Sequence, residues 1–130
     1  MAKIRLLLAD DHPIMLASVR RQLGEDFDIV GTANNGQEAV DATVRLNPDV
    51  LIMDISMPLL DGFQAASCIR AAGCKTTVIF LTVHQDPDFV AAALSCGARG
   101  YVSKSRLSID LAKAIYEALE GRSFVSPFHV

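Results

Sequence analysis

Residues 50–63 read Val50-Leu51-Ile52-Met53-Asp54-Ile55-Ser56-Met57-Pro58-Leu59-Leu60-Asp61-Gly62-Phe63, and their reading decides the fold. The first four are apolar in succession and do not alternate with polar residues. That is the pattern of a short strand covered on both faces, as in a parallel sheet. Asp54 ends the run. A helix is expected from Phe63 to Ala72, with Gly73 just beyond it. Buried strand, charged turn and helix make one βα unit.

The same unit recurs on either side. Runs at Ile4 to Ala9, Asp28 to Thr32, Val78 to Leu81 and Gly100 to Val102 each read as a further strand. Helices are expected at Pro13 to Leu23, Gln37 to Leu46, Pro87 to Cys96 and Ile109 to Glu120. Pro13 suits a first-turn position, Asn47-Pro48 and Gly97 act as stops, and Ser108 is the expected cap of the last helix. In that helix Leu111, Ala114, Ile115 and Ala118 fall on one stripe. Strict alternation predicts parallel βαβ units with right-handed crossovers, hence a sheet between two layers of helices. The tail from Arg122 to Val130 carries no helical or strand periodicity of its own.

At 130 residues the chain is long enough for one core and too short for two. It is 51% hydrophobic but only 6% aromatic, so the core must be built from Leu, Ile, Val and Ala. Twelve basic and 15 acidic residues are spread along it for a net charge of -3, which argues against direct nucleic-acid binding by this segment. Cys68, Cys74 and Cys96 form no Cys-x-x-Cys pair and leave an odd one out, so reduced thiols buried in the core are expected. No apolar run approaches the roughly 18 residues that span a bilayer, and Ile4 to Ala9 is too short for a signal peptide. No membrane association and a cytoplasmic location are expected.

In open parallel sheets the ligand site lies beyond the carboxyl ends of the strands. Asp10-Asp11 follows the first strand, Asp54 the third, Thr82 ends the fourth and Lys104 follows the fifth, so polar residues from four strands collect at one rim. Two unit charges about 4 Å apart at an effective dielectric of about 20 repel by about 4 kcal/mol. Three carboxylates therefore gather only if one is protonated or a cation neutralises them. A hard, all-oxygen site of this sort favours Mg2+, which can bridge a carboxylate and a phosphoryl oxygen during transfer. Asp54 would then be the nucleophile, Lys104 a point charge for one phosphate oxygen and the Thr82 hydroxyl a donor for another. Singly, each has a plainer role: Asp10 or Asp11 as cap of the first helix, Asp54 in a turn, Thr82 as a strand-end hydroxyl, Lys104 as a solvated lysine. His84 reads as a surface loop residue.

Five motifs in order resemble the receiver domains of bacterial two-component systems over essentially the whole chain. Leu8-Ala9-Asp10-Asp11-His12-Pro13 is similar to that family's acidic pair, and Met53 to Pro58 with Asp61-Gly62 to its phosphoacceptor segment. Leu81-Thr82-Val83-His84 resembles its switch threonine, Gly97 to Tyr101 the stretch with its switch aromatic, and Val102-Ser103-Lys104 its lysine. The resemblance implies a flavodoxin-like (CheY-like) α/β fold, a doubly wound five-stranded parallel sheet in the order 2-1-3-4-5. The receiver would cover residues 1–121, with 122–130 opening a linker to an output domain. It further implies Asp54 as phosphoacceptor for a sensor histidine kinase, and Mg2+ held by Asp11, Asp54 and the Ser56 carbonyl with Asp10 acting partly through water.

By the same resemblance, phosphorylation draws Thr82 inward, lets Tyr101 bury, and remodels the face of the fourth helix, fifth strand and fifth helix, where a homodimer could form. Ser105 stands where many receivers carry proline, so the cis peptide often found there is not implied and a more mobile loop is expected. Asp11-His12-Pro13, Leu81 to His84 and the tail Gly121 to Pro127 look most like the subfamily in which a receiver precedes a LuxR-type helix-turn-helix domain, which implies transcription regulation. A Mg2+-dependent phosphohydrolase with an aspartyl nucleophile commonly needs an acid two residues on, where this chain has Ser56. A flavin carrier would need a phosphate-cradling loop where this chain has Asp10-Asp11-His12-Pro13. A degenerate receiver acting only as an interaction module would not need the intact set Asp10, Asp11, Asp54, Thr82 and Lys104.

Overall fold

The computed structural model describes residues 2–127. In chain order its elements are β1 (Ile4–Ala9), α1 (Pro13–Leu23), β2 (Phe27–Ala33), α2 (Gly36–Leu46), β3 (Val50–Met53), α3 (Gly62–Ala71), β4 (Thr77–Thr82), α4 (Pro87–Ser95), β5 (Gly100–Ser103), a 3-10 turn (Lys104–Arg106), α5 (Leu107–Leu119) and β6 (Phe124–Val125). The strands pair in parallel in the order β2-β1-β3-β4-β5-β6. The expected order 2-1-3-4-5 is present, extended by a short sixth strand.

Successive side chains of a strand face opposite sides, so each continuous apolar run feeds two cores. Leu6 and Leu8 of β1 pack with Val19 and Leu23 of α1 and with Leu111, Ala114, Ile115 and Ala118 of α5. Leu7 and Ala9 face the other layer, with Ala39 and Ala42 of α2, Ala65, Ala66 and Ile69 of α3, and Ala93 of α4. Fully burying a large apolar side chain stabilises the fold by roughly 1.5–3 kcal/mol; the α1–α5 layer is aliphatic as expected apart from Phe27, whereas the other layer departs from the expected Leu, Ile, Val and Ala by also burying Met53, Met57, Phe80 and Tyr101.

One glycine fixes the loop that carries Asp54. A Cβ built on Gly62 would lie 2.5 Å from the Asp54 carbonyl oxygen and 2.8 Å from the Phe80 ring. The Gly62 N–H donates to the Ile55 carbonyl at 2.7 Å. Asp61 then opens α3 through a reciprocal capping box with Gln64. The chain after β3 is thus clamped at both ends of a short loop.

Three expectations are corrected. Ser108 does not cap the last helix: Ser103 accepts from the Ser105 N–H and opens the 3-10 turn, which leads straight into α5, so Ser108 lies inside the helix. The segment after Lys104 is accordingly a hydrogen-bonded turn. No peptide bond among the described residues is cis. Cys68 is exposed, because it lies on the outer side of α3 between the buried Ala65 and Ile69, whereas Cys74 and Cys96 are half-buried.

The third correction concerns the tail, where Phe124–Val125 pairs with β5. The Phe124 N–H donates to the Arg99 carbonyl at 3.0 Å and the Ser126 N–H to that of Tyr101 at 2.8 Å. A two-residue strand shows no period in sequence; its pairing comes from the ladder. Residues 128–130 of that tail lie outside the described residues.

Ser126 anchors the strand. Its buried hydroxyl donates to Asp110 Oδ2 at 2.7 Å and accepts from the Ser103 N–H at 3.1 Å. Arg106 Nε donates to the same Asp110 oxygen at 2.7 Å. Burial alone would raise the Asp110 carboxyl, but the bonds from Arg106 and Ser126 outweigh it and hold its pKa below the ordinary 3.8. A depressed carboxyl pKa stabilises the folded chain above the unfolded value, and that contribution fades as pH falls through the folded one. Asp110→Ala is therefore expected to cost about 2–4 kcal/mol at pH 7. Denaturant unfolding of both proteins should show the gap narrowing below pH 3.8; a gap independent of pH would contradict the account.

Candidate functional site

Asp10 and Asp54 continue β1 and β3 by one residue. Ala9 and Met53 are register partners, and the Asp54 N–H donates to the Ala9 carbonyl at 3.0 Å, so the two carboxylates emerge side by side. Both residues are buried, at 4% and 5% exposure. Lys104, the first residue after β5, reaches back between them: its Nζ lies 2.9 Å from Asp10 Oδ2 and 3.0 Å from Asp54 Oδ2. Burial works to lower the lysine pKa, but the bonds to Asp10 and Asp54 outweigh it and hold it above 10.5. The ammonium is thus charged and already serves as the counter-ion that the clustered carboxylates require.

Asp11 is more open, with its side chain 31% exposed. It lines a cleft of about 640 Å3 together with Ser56, Asp61, Phe63 and Phe89. Between Asp10 and Asp11 sits His12, whose Nδ1 is 2.9 Å from Asp10 Oδ1 and 3.0 Å from Asp11 Oδ1. The Asp10 hydrogen bond foremost, and then the Asp11 charge, raise the imidazole pKa above 6.5. His12 is the N-cap residue of α1 and makes no side-chain cap bond. Asp10 accepts from the His12 N–H at 2.9 Å, so capping of the first helix is not its role.

One donor atom each from Asp10, Asp11, His12 and Asp54 lie within 4.8 Å of one another. This carboxylate-rich donor set at the cleft wall fits a hard divalent cation. The sequence reading brings Asp10, Asp11, Asp54 and Lys104 to this point and misses His12. Its position directly after the acidic pair was the available signal.

A second group lies at the end of β4. Thr82 is fully buried and its hydroxyl oxygen accepts from the His84 N–H at 3.2 Å. Tyr101 of β5 is also fully buried and donates its hydroxyl to the His84 carbonyl at 2.8 Å. Burial, then the charges of Asp86 and Asp54, push its phenol up to about 12. The bond to the His84 carbonyl holds Tyr101 in this inward position. The His84 ring lies 2.8 Å through Nε2 from the Ser56 hydroxyl and packs on Phe89 with centroids 4.6 Å apart. From sequence His84 reads only as a loop residue, because its partners lie 28 and 17 positions away. It ties the residue two beyond Asp54 to the threonine and tyrosine.

Residues 6–116 match the family model described as the response regulator receiver domain. Over 126 residues the chain is 39% identical to a Bacillus subtilis protein named "Uncharacterized transcriptional regulatory protein YvfU", a match covering 95% of this chain and 63% of that one. Among solved structures, the receiver domain of the putative response regulator NarL from Mycobacterium tuberculosis superposes with a TM-score of 0.88 at 32% identity, covering 94% of this chain and 100% of that one. A LuxR-family two-component response regulator from Aurantimonas sp. SI85-9A1 gives a TM-score of 0.91 at 33% identity, covering 97% and 91%. The chain belongs to the response regulator receiver domain family. It spans 63% and 59% of the length of the first curated relatives it matches, which are named as transcriptional regulatory proteins. No helix among the described residues is long and apolar enough to cross a membrane.

Proposed function

We propose that the chain is a phosphorylation switch of the cytoplasm, in which Asp54 takes a phosphoryl group from a sensor histidine kinase and an attached DNA-binding output domain reads the change. The observation that carries this reading is the Lys104 ammonium lodged between Asp10 and Asp54. A carboxylate oxygen of Asp54 would form the new bond to phosphorus as the bond to the donor's nitrogen breaks and its electron pair stays on that nitrogen. Lys104 is in reach of the oxygens on which charge then accumulates, and such preorganised charge is the usual source of transition-state stabilisation. A divalent cation, Mg2+ by the donor set, would be held by Asp11, Asp54 and the Ser56 carbonyl, with Asp10 partly through water, and would supply positive charge to the phosphoryl oxygens. Ser56 brings a hydroxyl bonded to His84 where a phosphohydrolase would bring an acid, which favours a switch over an enzyme with turnover.

Thr82 and Tyr101 are the proposed readout. About two added negative charges on Asp54 attract the Thr82 hydroxyl, which now serves the His84 N–H, while the His84 carbonyl receives Tyr101. A shift at one moves the acceptors of the other, and hence α4, β5 and α5, the face on which homodimerisation or output contact would depend. Labelling by acetyl phosphate, followed by intact mass, tests the reading. One phosphoryl group is expected with Mg2+ or Mn2+ present, and none with excess chelator, since the incoming group otherwise meets only carboxylates and one ammonium. Full labelling in chelator would remove the cation from the account.

A further inference from the structure

We propose that the groove at the amino-terminal rim of β4 and β5, at the end of the sheet opposite Asp54, binds a small phosphate compound carrying two linked phosphoryl groups. The groove holds about 450 Å3 and is lined by Arg70, Lys75, Thr76, Thr77 and Arg99 among others. Topology separates it from the carboxyl rim. Thr77 begins β4, Arg99 immediately precedes β5, and Arg70 belongs to the last turn of α3. Its volume lies within the usual range of small-ligand sites, about 300–1,000 Å3.

The charge pattern points to an anion. Three cationic side chains share one lining, and none of its residues is an Asp or Glu, on a chain whose net charge is -3. The side chains of Arg70 and Lys75 have no hydrogen bond or ion pair among the described residues, and the Arg99 guanidinium gives one N–H to the Gly121 carbonyl at 3.2 Å. Three of the other basic side chains are instead neutralised by carboxylates: Arg106 by Asp110, Lys104 by Asp10 and Asp54, and Arg122 by Glu117.

The polar lining adds Thr76, whose hydroxyl donates to the Pro48 carbonyl at 2.9 Å and so keeps its lone pairs for other donors, and Thr77, whose hydroxyl has no partner among the described residues. Two phosphoryl groups carry about three negative charges or more, which matches three cations better than one oxyanion does. The arginine fork suits such oxygens in particular.

The test is a two-dimensional NMR titration of the whole 130-residue chain with inorganic pyrophosphate, in low salt and excess chelator so that no metal bridges the ligand to the carboxyl rim. Saturable shifts are expected at Arg70, Lys75 to Thr77 and Gly97 to Arg99, with a Kd of about 1 mM or tighter. The double variant Arg70→Gln/Lys75→Gln should bind at least about tenfold more weakly. The single exposed-loop change Lys75→Gln, with an unaltered thermal midpoint, serves if the double variant is unstable. An adenosine diphosphate arm separates the sources: tighter binding than pyrophosphate assigns a nucleotide, equal binding an inorganic compound, and adenosine alone should not bind. Absence of saturable shifts, shifts centred on Asp10, Asp11 and Lys104, or undiminished binding by the variants would each overturn the proposal.

Discussion

Asp54→Asn is expected to abolish labelling by acetyl phosphate while leaving the fold intact. The expectation rests on how differently the two buried carboxylates are occupied. Both Asp10 oxygens are engaged, one by the His12 N–H and ring and the other by Lys104. Asp54 gives one oxygen to Lys104 and the other only to the adjacent Ile55 N–H, which leaves it the freer nucleophile. Asparagine keeps the shape of the side chain. Removing its charge leaves Lys104 still paired with Asp10, so the change in stability should be small, about 1 kcal/mol. Intact-mass spectra of both proteins under identical conditions decide the matter, and undiminished labelling of the variant would transfer the role to another residue.

The second large effect is expected from a comparison of Lys104→Ala with Thr82→Ala. The lysine side chain is only 9% exposed and neutralises two carboxylates at once. Without it, Asp10 and Asp54 repel by an amount that reaches about 4 kcal/mol for unit charges 4 Å apart at an effective dielectric of 20. Labelling should slow by about a hundredfold or more, the cost of deleting one preorganised donor at a reacting centre. Thr82 has no hydrogen bond to a charged side chain among the described residues, and its hydroxyl serves as an acceptor for the His84 N–H. Thr82→Ala should therefore still accept the phosphoryl group at a rate within a few-fold of the parent, yet lose the change in amide exchange across His84 and Tyr101. Equal slowing in both variants would contradict this division of labour.

Nearly all of the sheet was legible in the sequence, because buried parallel strands are apolar on both faces and their runs stand out. α1 starts at Pro13 and ends at Leu23, just before Gly24, as the sequence predicts, and the other predicted boundaries fall within two residues of those observed. What escaped has a common cause. The second face of His84, the ring of His12 over two carboxylates, and the pairing of Phe124–Val125 all depend on partners that only the folded chain brings near. Ser108 reads as a cap because a serine before an apolar stripe is a sound local signal, and here the 3-10 turn overrides it. Composition likewise suggested buried thiols, and only helix phase reveals that Cys68 points outward.

The two-residue strand at the end of the sheet also bears on solubility. Without it β5 would present Gly100-Tyr101-Val102-Ser103, a fully buried row, as a bare edge ready to pair with the same edge of another molecule. Covered by β6, the sheet instead ends in two residues, one of them Val125 at 37% exposure, next to a serine whose amide and hydroxyl are already spent inward. At the opposite edge, β2 carries the outward-facing Asp28 behind Glu25 and Asp26, charges that a second sheet could not accept. A chain shortened before Phe124 would expose the apolar margin, and light scattering on concentration should rise for it well before any loss of secondary structure.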